Sequence, residues 1–159
     1  MSKGIAKLQE EHKQIRKNGS LASIGGAAGP INKDYYHWKA CFIGPRNSPY
    51  EGGLFYIEMK FNSDYPDSGP VDVQMRTKTY HPNIYNSNGH ICDSYWTSWK
   101  NTNNIVGIVN TVFDLLSEEN PGNGYHGHDK QKAASFKSQY ACESQSYDWN
   151  NCWNKGWDE

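Results

Sequence analysis

The stretch from Tyr80 to Cys92, Tyr-His-Pro-Asn-Ile-Tyr-Asn-Ser-Asn-Gly-His-Ile-Cys, holds residue types suited to acyl chemistry. A thiol follows an Asn-Gly turn and a rigid His-Pro-Asn segment. Asn88-Gly89 tolerates the positive φ of a tight reversal, so it turns Ile91 and Cys92 back alongside the preceding residues. That path predicts Cys92 facing Asn83. Sulfur can carry an acyl group, and a carboxamide can donate a hydrogen bond to a developing oxyanion. An unperturbed thiol has a pKa of about 8.5, so a few per cent is ionised near neutrality, enough for it to act as a nucleophile.

Other chemistries fit the residues less well. His81 or His90 as the base of a cysteine hydrolase, with Asp93 as orienter, has no local signature here. Cys142 and Cys152 with His126 and His128 have spacings that match no usual zinc motif. The Gly- and Ala-rich stretch Ser20 to Asp34 lacks the Lys-Ser/Thr ending of a phosphate loop, and its Gly25-Gly26 and Gly29-Pro30 read as breakers.

The elements around this stretch can be read in order. Ile5, Leu8, His12 and Ile15 share one helical face while Lys7, Glu10, Glu11, Lys13 and Gln14 take the others, which predicts an amphipathic helix from Lys3 to Lys17 ended by Asn18-Gly19. Ser20 to Asp34 is expected to form a short strand or an irregular crossing. Tyr36 to Ile43, Leu54 to Phe61 and Val71 to Met75 read as strands of an antiparallel meander, with Cys41 in its core. The connections are a shaped Pro/Gly loop, Gly44 to Gly53, and Asn62 to Pro70, where Tyr65-Pro66 or Gly69-Pro70 can be cis. Asn101 to Asn104 are suited to capping a helix whose apolar residues are Ile105, Ile108, Val109, Val112, Phe113 and Leu116; it should be the most buried helix. Asn120 to Gly124 stops it, and a weaker polar helix is expected from Lys130 to about Ser144. No internal repeat is present.

The 159 residues suffice for one domain with a sizeable core, and 16 Lys+Arg against 17 Asp+Glu give no electrostatic reason to expect nucleic acid or an acidic membrane as partner. The basic start has no apolar segment of signal-peptide length, and no run is long enough to span a bilayer. Cys41, Cys92, Cys142 and Cys152 are therefore expected as free thiols, in a cytoplasmic or nuclear monomer. Trp149, Trp153 and Trp157 recur every fourth residue, a stripe that would pack on its own domain or meet a partner or a membrane surface.

In this order the motifs resemble those of the ubiquitin-conjugating enzymes. They are the first helix, His37-Trp38, Gly44-Pro45, Ser48-Pro49-Tyr50-Glu51-Gly52-Gly53, Phe61 with Asp64-Tyr65-Pro66, Tyr80 to Ile84, Asn88 to Cys92, Trp99 and Asn120-Pro121. The resemblance implies an α+β core domain over 1–147, followed by a Trp-rich extension over 148–159. Within the core it implies a first helix, a four-stranded antiparallel meander, a central helix packed on the sheet and a C-terminal helical segment. It further implies that Cys92 accepts ubiquitin from an activating enzyme as a thioester, for transfer to a substrate lysine with a ligase. Asn83 would stabilise the oxyanion or order the loop, and His81 and Pro82 would shape the segment. No cofactor or metal is implied.

Several positions depart from the family pattern. The chain has one residue more between Asn83 and Cys92 than the common spacing, and one fewer between Cys92 and Trp99. Asp93 sets a carboxylate beside the thiol, which would raise its pKa. Asn123 stands where many members have an aspartate that orients or deprotonates the incoming lysine. Lys3 and Lys7 lie on the helix face that meets the activating enzyme in the family. Asp67 replaces an exposed phenylalanine, and Lys100-Asn101-Thr102 a Ser-Pro-Ala loop, both used by ligases. A carrier of a ubiquitin-like modifier, or a non-catalytic variant acting as a binding module, is the alternative.

Overall fold

The computed structural model describes residues 3–85, 87–91, 95–117 and 129–143. Helix α1, Lys3–Asn18, buries Gly4, Leu8, Glu11 and Ile15. Leu8 and Ile15 lie on the predicted apolar face. Glu11 does not follow the expectation of a solvent-facing charge: its carboxylate accepts hydrogen bonds from the Ile105 backbone N–H, at 2.8 Å, and from the Tyr65 hydroxyl. Two donors buried elsewhere in the fold draw it inward.

The Gly-rich crossing resolves into a short 3-10 turn, Ala22–Ile24, and strand β1, Ala27–Ile31. Asn32 and Lys33, with φ of 53° and 64°, join β1 to β2, Asp34–Ile43. Two successive left-handed residues produce the turn whose twist matches that of the strands it links. β3, Gly53–Lys60, and β4, Asp72–Met75, complete an antiparallel sheet in the order β1-β2-β3-β4, the expected meander. In the loop between β3 and β4, Tyr65–Pro66 is cis.

Alternation along the strands gives the sheet two apolar faces. Trp38, Ala40, Phe42, Phe55, Ile57, Met59, Val73 and Met75 form the main core with Ile105, Ile108, Val109, Val112, Leu115 and Leu116 of α2, Ile105–Ser117. Burying each such large side chain contributes about 1.5–3 kcal/mol. On the other face Cys41, Leu54 and Tyr56 form a second buried cluster, so Cys41 is buried as expected, but not in the main core. Asn104 caps α2, its side-chain oxygen accepting the Gly107 N–H at 2.8 Å.

Helix α3, Lys130–Tyr140, is capped by Asp129, whose side chain accepts from the Lys132 N–H. It ends short of the expected Ser144 because the chain turns into β5, Cys142–Glu143, which pairs with Gly53 and Leu54 of β3. Cys41 is a buried thiol outside any disulfide, whereas Cys142 is disulfide-bonded. That corrects the expectation of free thiols throughout and removes Cys142 as a thiolate ligand for zinc. Cys92, Asp93, Asn123, His126, His128, Cys152 and the tryptophan stripe lie outside the described residues.

Candidate active-site segment

The segment leaving β4 is held from its first residues. The Thr77 hydroxyl accepts the Tyr56 N–H at 2.9 Å, and the buried Thr79 hydroxyl donates to the Thr77 carbonyl at 2.7 Å. Farther on, the Tyr50 hydroxyl donates to the Tyr80 carbonyl at 2.5 Å. Burial, and then the neighbouring Tyr80, push the Tyr50 hydroxyl pKa upward, so it remains a protonated donor.

His81 is fully buried and both of its ring nitrogens are engaged. The Asn83 N–H lies 3.0 Å from Nδ1, which must accept, so Nε2 carries the proton and donates to the Leu115 carbonyl at 2.9 Å. A neutral imidazole with both nitrogens committed is a brace for the His-Pro-Asn turn and is unsuited to act as a general base. Pro82 is buried beside it. Asn83 is 2% exposed, and its Oδ1 is a buried acceptor that takes no hydrogen bond among the described residues.

Beyond Asn83 the chain reverses as the Asn-Gly pair predicts, with Gly89 at φ 79°. The Tyr85 N–H donates to the His90 carbonyl at 2.8 Å, and the Gly89 N–H to the Tyr85 carbonyl at 2.9 Å. Ile84 and Ile91 form an antiparallel bridge across this reversal, and both are buried. The returning arm is pinned to β4, since Met75 donates to the Gly89 carbonyl and Ile91 to the Val73 carbonyl. His90 Nδ1 sits 3.0 Å from Asp72 Oδ1, a carboxylate on β4 that sequence reasoning did not single out.

A family model for ubiquitin-conjugating enzymes matches residues 7–148. The chain belongs to the ubiquitin-conjugating enzyme family. Its fold is similar to the crystal structure of a candidate ubiquitin-conjugating enzyme from Plasmodium yoelii, with a TM-score of 0.77 and 26% identity, over 89% of this chain and 97% of that one. Membership implies, in general terms, ubiquitin, an activating enzyme and ligases as partners. No helix among the described residues is long and apolar enough to cross a membrane.

In this ubiquitin-conjugating enzyme domain the four docking candidates have different surroundings. Lys3 Nζ and Asp67 Oδ2 are 2.5 Å apart, with side chains 65% and 56% exposed. Lys3, and secondarily Asn101, hold the Asp67 carboxyl below its ordinary range. The first turn of α1, the Asn62–Pro70 loop and the loop after Lys100 therefore converge. Trp99 strengthens that junction by donating its indole N–H to the Pro66 carbonyl at 2.7 Å. Lys100 is exposed, with its backbone N–H bonded to Asn103 Oδ1. Lys7 lies farther along α1, where its charge faces Glu11. Two residues predicted to serve different partners, Lys3 and Asp67, thus engage each other.

Sequence reasoning missed Glu11, the Tyr65 hydroxyl and the Tyr50 hydroxyl as positioning groups. Tyr50 and Tyr65 each stood inside a quoted motif, which was the available signal. Glu11 had none, because its partners lie 54 and 94 residues away.

Proposed function

We propose that this protein carries ubiquitin as a thioester on Cys92 and passes it to a substrate lysine. The observation that carries the reading is the Ile84–Ile91 bridge beside the buried, anchored Asn83. Asn83 directly precedes Ile84 in the chain, and Cys92 directly follows Ile91.

In the charging step the Cys92 thiolate attacks the carbonyl carbon of the ubiquitin thioester on the activating enzyme. A new C–S bond forms, the old one breaks, and the activating enzyme's thiolate leaves. In discharge a neutral lysine amine attacks the Cys92 thioester, and the tetrahedral oxyanion takes a hydrogen bond from the Asn83 carboxamide. Collapse expels the Cys92 thiolate, and the amine's proton passes to solvent. His81 and Pro82 act as positioning residues by fixing the turn on which Asn83 sits. Asn123 in place of an aspartate offers a hydrogen bond but no base, which favours slow discharge without a ligase. Lys3 and Lys7 would meet the activating enzyme, Asp67 and Lys100 a ligase.

The test is charging of the purified protein with ubiquitin, ATP and activating enzyme, followed on gels with and without a thiol reductant. A reductant-sensitive adduct is expected that is lost in Cys92→Ala. In Asn83→Ala the adduct should form, and its discharge to free lysine should fall by roughly 10²-fold. Charging only with a ubiquitin-like modifier and its own activating enzyme would replace ubiquitin in the reading. No adduct with any member of such a panel would establish a non-catalytic variant.

A further inference from the structure

The arm that returns from the Asn-Gly reversal lies against β4, fastened by the Met75 N–H on the Gly89 carbonyl at 2.7 Å and by the Ile91 N–H on the Val73 carbonyl at 3.0 Å. Those two bonds flank Gln74 and His90, which oppose each other as an antiparallel bridge. A pair flanked in this way exchanges no hydrogen bonds of its own, and its side chains stand close together. Val73 and Met75 are buried in the main core, so by alternation Asp72 and Gln74 project from the other face of β4, and His90 shares that face.

His90 joins three parts of the chain. Its backbone N–H donates to Asn88 Oδ1 at 2.9 Å inside the turn, its carbonyl accepts the Tyr85 N–H at 2.8 Å from the outgoing arm, and its ring reaches β4. An ionised carboxylate only accepts, so Nδ1 carries a proton and donates to Asp72 Oδ1 across 3.0 Å. The contact is diagonal. Asp72 lies beyond Val73 on β4, in the direction in which the arm runs, and diagonal neighbours across a strand pair are within reach of long side chains. Both side chains are largely shielded, at 27% and 26% exposure, which limits screening of the pair. Glu58, on the same face of β3, is bonded to His37, and Lys60, opposite Asp72, is exposed.

We propose that Asp72 and His90 are positioning residues for thioester formation, a clasp that fixes the returning arm on β4. The inference rests on the reading of Cys92 as the ubiquitin carrier. Among the described residues, the clasp and the Ile91–Val73 bond are the last fixed points before Cys92, which follows Ile91 directly in the chain. Transfer of an acyl group between thiols on two proteins requires the attacking sulfur to be held in one place, and a displacement of about 1 Å can cost roughly 10²-fold in rate. The pair acts through the path of the arm and takes no part in bond making.

Two measurements on the full chain test this. Amide hydrogen exchange at Ile91 should quicken roughly tenfold in Asp72→Ala and in His90→Ala, and no further in the double variant, because the two residues make one contact. Glu58→Ala, which removes the carboxylate bonded to His37, should leave that exchange unchanged. Exchange at the wild-type rate in the Asp72 and His90 variants, or equal quickening by Glu58→Ala, would overturn the clasp. In multiple-turnover charging by the activating enzyme, both alanine variants should lower kcat roughly tenfold with the KM for this protein unchanged. Asp72→Asn keeps an acceptor for Nδ1 and should recover most of that rate. A rise in KM alone, or no recovery in Asp72→Asn, would overturn the positioning role. A wild-type protein that forms no adduct would overturn the Cys92 reading, whereas the exchange measurement, which involves no ubiquitin, tests the clasp by itself.

Discussion

The two ends of α2 are held by two buried side chains of opposite character. At its N-terminus, Glu11 of α1 accepts the Ile105 N–H and the Tyr65 hydroxyl. Near its C-terminus, His81 donates to the Leu115 carbonyl and accepts from Asn83. An acidic group at the positive end of the helix dipole and a donor at the negative end both satisfy orphan backbone groups. They differ in cost. His81 is neutral and fully paired, whereas burial of Glu11 pushes its pKa up despite the lowering effect of the Ile105 and Tyr65 hydrogen bonds. The Glu11 end of α2 therefore holds a proton more readily than an exposed carboxyl would.

Removing the neutral brace should have the largest effect. His81→Ala leaves the Leu115 carbonyl and the Asn83 N–H unpaired, and is expected to lower stability by roughly 2–5 kcal/mol in urea unfolding. A loss below about 1 kcal/mol would mean that water replaces the imidazole. Glu11→Ala should cost less, about 2–3 kcal/mol, because the carboxylate's own desolvation is relieved at the same time.

Glu11→Gln tests the electrostatic half of the comparison. The folded-state pKa of Glu11 lies above its ordinary 4.5, so the folded protein binds the proton more tightly than the unfolded chain does. The associated stability is present below pH 4.5 and is lost as pH rises through the folded value. Relative to wild type, Glu11→Gln should therefore gain stability as pH rises from 4 toward 7, a trend readable from urea midpoints. Parallel pH profiles would show that burial does not govern this carboxyl.

Smaller effects are expected away from α2. Tyr50→Phe removes one donor to the Tyr80 carbonyl and should cost about 0.5–1.5 kcal/mol. Lys3→Ala should leave the melting temperature unchanged at physiological salt, because the Lys3–Asp67 pair is open to solvent. A measurable drop would make that junction of α1 with the Asn62–Pro70 loop a structural one.

Within the described residues, much of the segment around Asn83 was legible from the sequence. The Asn-Gly reversal, the His-Pro-Asn turn and the Asn104 cap are local, with partners within a few residues. The Asn32-Lys33 turn was not, because lysine carries no mark of a left-handed conformation. Glu11 was assigned to the solvent face because helical periodicity places a residue relative to its own helix and says nothing of a donor on another element.

By itself the sequence determined the order of the elements, the inner face of the meander, the helix caps and the reversal that returns the chain toward Asn83, since each depends on alternation, helical spacing or turn chemistry within a short window. Only the tertiary structure decided that Glu11 is buried, that Lys3 meets Asp67, and that Cys41 belongs to a second cluster beside a disulfide-bonded Cys142. Those outcomes join positions far apart in the chain, and their energies arise from desolvation and pairing that exist only once the elements have packed.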